Sequence, residues 1–419
     1  MLQMQPDNRS DHKYRPCIGL ALAGGGPLGI IYEIGTILAL EEALEGVEFN
    51  NVDIYVGVSA GAVVTAGLAN GFSPAKMCQV FIRTDSEAFP LDPAHFLKPA
   101  ISQYVKGMRA APALLAEALW GFVNDPYDRS LHSVVSTLGR AFPSGLLDNE
   151  YIEQFGRKLF TSRGRSNDFR KLKRKLFIVA TKLDTGEAVN FGSPGYDHIP
   201  ISKAVQASTA LPGAYPPVEI EGCHYVDGAL WKTLHASTAL AAGADLLFCI
   251  NPLVPFNINL AKWEDKKNFD SLREGGLVAV LSQAFRLLIY SRMQVGMSKY
   301  NTQYADRDVI LFEPDRSDTK MFFTNVFSFA SRRRVCEHAY QTTRHDLLAR
   351  QDKLEPLLAR YGITMRRDIL ADQSLHFDSN LNVSSWVSTQ AKLQNKITNQ
   401  LSDTLDDLQE WLQSHRPVD

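Results

Sequence analysis

Ser59 stands in "VDIYVGVSAGAVV" between Gly57 and Gly61, where a strand-like run gives way to a helix-like one. That context suits a nucleophile elbow. Glycine on both sides permits a sharp turn that lifts the hydroxyl clear of its neighbours, and the helix start beneath it favours developing negative charge. The bland reading of the same residues is a tight strand-to-helix turn with a capping serine. At neutral pH a serine is a poor nucleophile and needs a base within hydrogen-bond reach. The chain has 10 histidines, of which His224 and His235 lie near an attractive site, "HYVDGALW". There Asp227 follows a strand and precedes Gly228, a setting in which an aspartate alone reads as a turn residue.

The stretch "CIGLALAGGGPLGIIYEIG" adds three glycines, Gly24 to Gly26, where a buried strand hands over to a helix. Their backbone N–H groups have no side chains in front of them and can face an anion, either a phosphate or the oxyanion of acyl transfer. Gly24, Gly26 and Gly29 also fit G-x-G-x-x-G, a weak signal by itself. A dinucleotide site wants an acid at the far end of the second strand. The only acid of "VDIYV", Asp53, sits at its start.

Strand and helix patterns alternate from "IGLALA" through "LGIIYEIGTILALEEAL", "VDIYV" and "AGAVVTAGLANG", the βαβα rhythm of a layered α/β fold. Prolines at 90, 93, 99 and 112 break that rhythm among apolar helical pieces, which reads as an inserted helical cap at about 89–147. Strands resume at "KLFIVATKLDTGEAVNF", "CHYV", "DLLFCI" and "VILFEP". Beyond about Arg332 the pattern is helical, ending in an amphipathic segment with Leu393, Ile397, Leu401 and Leu405 on one face. Gly24 to Gly26, Ser59 and Asp227 then each follow the carboxyl end of an expected strand, the edge where open α/β sheets gather their sites.

Glycine loop, G-x-S-x-G serine and Asp-Gly-Ala aspartate, in that order, resemble the patatin-like phospholipase family. "QASTALPGAYPPVEIEGCHYVDGALW" resembles the family's approach to its aspartate, and "GADLLFCINPL" one of its flanking strands. The resemblance implies a three-layer α/β/α sandwich with a mostly parallel central sheet. A polar leader (1–14) would precede a catalytic domain (15–343) that carries the cap, with a helical C-terminal extension (344–419) after it. It implies a Ser-Asp dyad in which Ser59 attacks a lipid ester, Asp227 takes its proton and later activates water, and Gly24, Gly25 and Gly26 hold the oxyanion, with Ala60 as a further donor. No cofactor or metal is expected. One departure is visible: the family's basic residue before the last loop glycine is Leu28 here. Two alternatives stand beside the dyad. One is an α/β-hydrolase triad using histidine, and the other a lipid-binding protein of the same fold with little turnover.

Composition agrees with a large globular unit, since the 419 residues are 45% hydrophobic. A formal net charge of -2 gives no global pull toward nucleic acid or anionic membranes. The five cysteines are odd in number and widely spaced, which fits a reducing, cytoplasmic setting, with at most peripheral, transient contact to membranes. The expected partner is a phospholipid or another lipid ester, and the C-terminal helix offers a route to an oligomer. The run "RGRSNDFRKLKRK" could attract anionic head groups, although a basic run before a buried strand reads first as a solvated loop.

Overall fold

In the computed structural model, residues 15–83, 98–124, 143–255, 276–318 and 329–379 are described. The leader, parts of the expected cap and the amphipathic segment near the C-terminus lie outside them. Strands β1 (Ile18–Leu22), β3 (Ile54–Val58), β4 (Lys175–Lys182), β8 (Leu246–Ile250) and β9 (Asp308–Phe312) run parallel in the order β4-β3-β1-β8-β9. Three antiparallel pairings complete the sheet: β5 (Glu187–Phe191) pairs with β4, as does β7 (Cys223–Asp227), and β6 (Val218–Ile220) pairs with β7. β3 and β8 are buried at every residue, as parallel strands must be when helices cover both faces.

One face is covered by α1 (Gly26–Ala43), α2 (Ala60–Ala69), α5 (Glu150–Phe160), α6 (Ile201–Ser208) and α9 (Phe329–Ala349), whose apolar side chains form the larger core with Leu22, Tyr55 and Phe248. Along the chain, α3 (Pro74–Cys78) and α4 (Ile101–Asn124) lie between α2 and α5. The other face is covered by α7 (Ala236–Ala241) and α8 (Gly276–Gln303), through Ala236, Leu240, Ile289 and Met293. Helices on both faces of a mostly parallel sheet make the expected α/β/α sandwich. α1 is apolar nearly all round because it is enclosed, with α9 laid directly along it. At Gly35 a Cβ would come within 2.5 Å of the Cys336 carbonyl oxygen.

α9 runs straight through position 343, where the sequence reading starts the C-terminal extension. Thr343 Oγ1 lies 3.3 Å from Thr36 Oγ1 of α1, so this helix is part of the domain. Past α10 (Gln351–Ala359), the two-residue strand β10 (Thr364–Met365) pairs with β2 (Leu44–Glu45), and α11 (Arg367–Ala371) follows. The sequence reading has only helices there. A two-residue bridge leaves no period to read, because its strand character comes wholly from the partner. The helix expected in "KTLHASTALAAG" begins only at Ala236, since the Thr233 carbonyl before it is taken by another segment.

Candidate active site

Strand register brings the distant residues together. Leu22 of β1 pairs with Gly57 of β3, and Val58 of β3 pairs with Val179 of β4. The next residue of β4, Ala180, pairs with Asp227 at the end of β7. β5 occupies the other edge of β4, so β3 and β7 meet end to end along one edge and Ser59, one residue beyond Val58, lies directly against the end of β7, where a Cβ on Gly228 would come within 3.2 Å of Val58 Cγ1. The Ser59 hydroxyl lies close enough to the Asp227 carboxyl to favour its charged form, and the Ala229 amide donates to Asp227 Oδ1 at 2.8 Å.

The turn at Ser59 has φ 52 and ψ -116, a left-handed conformation that a side chain rarely adopts. Gly61 makes it possible, because a Cβ there would stand 2.4 Å from the Leu22 carbonyl oxygen. The strained amide has a dedicated acceptor: Ser59 N–H donates to Ser208 Oγ at 2.9 Å, and the Ser208 hydroxyl donates to the Val179 carbonyl at 2.6 Å. Ser208 closes α6 and has no role in the sequence reading, although it lies in "QASTALPG". Only the fold brings it beside a residue 149 positions away. Replacing Ser208 by alanine is expected to leave a buried amide and a buried carbonyl without partners, lowering stability by about 1–3 kcal/mol in denaturant melts. Labelling of Ser59 by an acylating probe should slow with it, and Ser208→Thr should restore part of the rate.

The glycine loop lies against this pair. A Cβ on Gly24 would come within 3.3 Å of the Ser59 Cβ and 3.1 Å of the Ala229 Cβ. The three glycines are not equivalent. Gly24 N–H donates to the Thr233 carbonyl at 3.2 Å and is turned away from the cavity. The amides of Gly25 and Gly26, at the start of α1, have no acceptor among the described residues, and neither does that of Ala60, at the start of α2. Two helix N-termini therefore converge beside one hydroxyl.

Burial sets the acid-base character. Asp227 is only 2% exposed. Desolvation pushes its carboxyl up from 3.8 to about 6, against the opposing pull of the Ala229 amide bonded to it and of the nearby Ser59 hydroxyl. His235 is buried too, which lowers its imidazole to about 4, and its Nε2 has no hydrogen-bond partner among the described residues. His224 Nδ1 lies 3.4 Å from Asp184 Oδ1 on an exposed surface. No histidine is among the described residues that line the cavity at Ser59.

That cavity holds about 350 Å3 and is walled by apolar side chains, among them Val63, Phe155, Leu159, Leu211 and Leu253. Its one cationic lining residue among those described is Arg286 of α8. Arg286 escapes the sequence reading because nothing in "LVAVLSQAFRLLIYSRM" distinguishes a cavity-facing arginine from a solvated one.

The model of the patatin-like phospholipase family matches residues 20–240, slightly more than half of the chain. The chain belongs to that family. The match takes in the glycine loop, Ser59 and Asp227. Among curated proteins, lysophospholipase nte1 of Emericella nidulans is 26% identical over 237 residues, which is 56% of this chain and 12% of that much longer protein. Among solved structures, VipD from Legionella pneumophila is similar at 15% identity, covering 80% of this chain and 67% of that one with a TM-score of 0.33. Human GIVD cytosolic phospholipase A2 is 12% identical, covering 60% of this chain and 50% of that one with a TM-score of 0.28. The patatin-like family is one of lipid acyl hydrolases. Among the described residues, no helix is long and apolar enough to cross a membrane.

Proposed function

We propose that this patatin-like protein hydrolyses carboxylic esters of lipids through a Ser59–Asp227 dyad, with phospholipids or lysophospholipids as substrates. The observation that carries the reading is the close approach of a strained serine to a buried carboxylate, beside the amides of Gly25, Gly26 and Ala60. In the first step Asp227 accepts the Ser59 proton as the oxygen attacks the ester carbonyl. The oxyanion so formed takes hydrogen bonds from the amides at the two helix starts. Collapse expels the alcohol, which takes the proton from Asp227. Asp227 then deprotonates a water that attacks the acyl-enzyme, and passes that proton to Ser59 Oγ as the fatty acid leaves. A carboxylate is a weaker base than imidazole, and its raised pKa narrows that gap. An alcohol also leaves more readily than an amine, which suits the dyad to esters.

The apolar cavity supports an acyl chain as its occupant. Exposed apolar side chains support contact with a lipid surface: Tyr104, Met108 and Leu115 recur along α4, and Val280, Leu287 and Val295 along α8. Free thiols at all five cysteines fit a cytoplasmic setting.

A panel of phospholipids, lysophospholipids, neutral glycerides and short-chain esters, assayed with wild type, Ser59→Ala and Asp227→Ala, tests the reading. Turnover of any of them that persists in both variants would overturn it. Arg286 sharpens the substrate expectation. A desolvated guanidinium in an apolar cavity is well placed to meet a phosphodiester, taking over the charge that Leu28 lacks. Arg286→Gln should lower kcat/KM for phosphatidylcholine about tenfold or more and leave that for a neutral diglyceride nearly unchanged. Equal losses on both substrates would assign Arg286 to packing.

A further inference from the structure

The amino ends of β3 and β4 open onto a second cavity, of about 840 Å3, at the sheet edge opposite Ser59. Its wall carries four permanent cations, Arg165, Lys171, Lys173 and Arg174, together with His198, against the carboxylates of Glu48 and Asp168. Several of these charges are already engaged. Arg174 pairs with Asp53 at 2.8 Å, and Asp168 accepts from the Arg170 guanidinium at 2.9 Å. Lys171 and Lys173 are exposed and form no ion pair with the described residues.

The segment that gathers these cations is held in shape. Ser166 N–H donates to Asn70 Oδ1 at 2.8 Å. The Asn167 side chain accepts from Ser202 N–H at 2.8 Å and donates to Ser202 Oγ at 2.9 Å. The Arg165 guanidinium lies 3.9 Å from the centre of the Phe72 ring. Like charges are thus fixed around one polar hollow, where their mutual repulsion favours binding of an anion, and the oxygens of a phosphate suit both Lys and Arg donors.

Position decides between a lipid head group and a free solute. β3 runs from Ile54 to Val58, so about 16 Å of strand, at ~3.3 Å per residue, separates this cavity from the elbow. If the edge bearing Ser59 meets a bilayer, the cavity faces away from it. We propose that the cavity binds a small soluble phosphorylated molecule. Such a ligand would sit across the far ends of the two helices that seat the nucleophile. α2 runs from Ala60 beside Ser59 to Ala69 at the cavity, and α6 runs from Ile201 beside Asn167 to Ser208 beneath Ser59.

Titration calorimetry of the full chain with inorganic pyrophosphate tests the proposal. One molecule should bind per chain. Lys171→Glu/Lys173→Glu should weaken it roughly tenfold or more, and Lys353→Glu, on α10, should leave it unchanged. Both cavity lysines are exposed, and a matching circular dichroism melt would show that the double variant is folded. A parallel flotation assay uses phosphatidylcholine vesicles containing phosphatidylinositol 4-phosphate, and recovery of the chain with them should not depend on Lys171 and Lys173. Absence of pyrophosphate binding would overturn the proposal, as would equal weakening by Lys353→Glu. So would flotation lost in the double variant with pyrophosphate binding intact, since the same cations would then serve a membrane surface.

Discussion

The Asp227→Asn protein is expected to fold and to lose lipid ester hydrolysis by roughly 100- to 10,000-fold, the usual contribution of a positioned general base. Asparagine keeps the shape and can still accept from the Ala229 amide, so the loss isolates the proton transfer. The wild-type rate should follow the ionised fraction of a carboxyl with a pKa near 6, falling as pH drops through that value, and the residual rate of Asp227→Asn should lack this limb. Stability should move the opposite way. The folded carboxyl titrates near 6 and the unfolded one near 3.8, so between these values the folded chain binds more protons. Stability therefore declines as pH rises from about 4 to about 6, by on the order of 3 kcal/mol. Above that window Asp227→Asn avoids the cost of burying a charge and should melt at a higher temperature than wild type. A variant both inactive and less stable at pH 7 would mean that Asp227 serves the fold. If His224→Ala or His235→Ala abolished activity as completely, a histidine triad would be the better reading.

The layered α/β fold was legible because its signal is local. Apolar runs such as "IGLALA" and "DLLFCI" read as strands covered on both faces, and the helical patterns between them as crossovers. Glycine spacing around Ser59 was legible for a similar reason, since a tight turn needs those residue types in that order. The functional difference between Gly24 and its two neighbours was not. It depends on the Thr233 carbonyl, more than 200 positions away, taking one of three chemically identical amides. Ser208 and Arg286 were hidden by the same kind of distance. Each is an ordinary residue type on an ordinary helix, made special by what the sheet register and the covering helices place beside it. The basic run at 163–175 was visible as charge, yet its place at the amino end of the strands came only from the pairing of β3 with β4.

Ser59 should produce the sharpest separation between chemistry and stability. Ser59→Ala is expected to abolish both hydrolysis and covalent labelling by a fluorophosphonate, because Ser59 is the one described side-chain hydroxyl that acts on the Asp227 carboxyl. Ser59→Gly should be equally inert, but the two variants should differ in stability. At most positions alanine is favoured over glycine by roughly 0.5–1 kcal/mol, through the entropy of the unfolded chain. Position 59 should reverse that order. A φ of 52 with ψ -116 costs any residue carrying a Cβ about 1–3 kcal/mol, and glycine alone is relieved of it. Paired denaturant melts at pH 5 and pH 8 should therefore rank Ser59→Gly above Ser59→Ala by about 1 kcal/mol. If the alanine variant is the more stable, the elbow is relaxed in solution, and the serine does not stand proud of the turn as the mechanism requires. If the ranking holds while wild-type labelling fails, the turn is strained for a purpose other than nucleophilic attack. Only labelling of Ser59 together with the reversed stability order ties the strain stored in the turn to an activated hydroxyl.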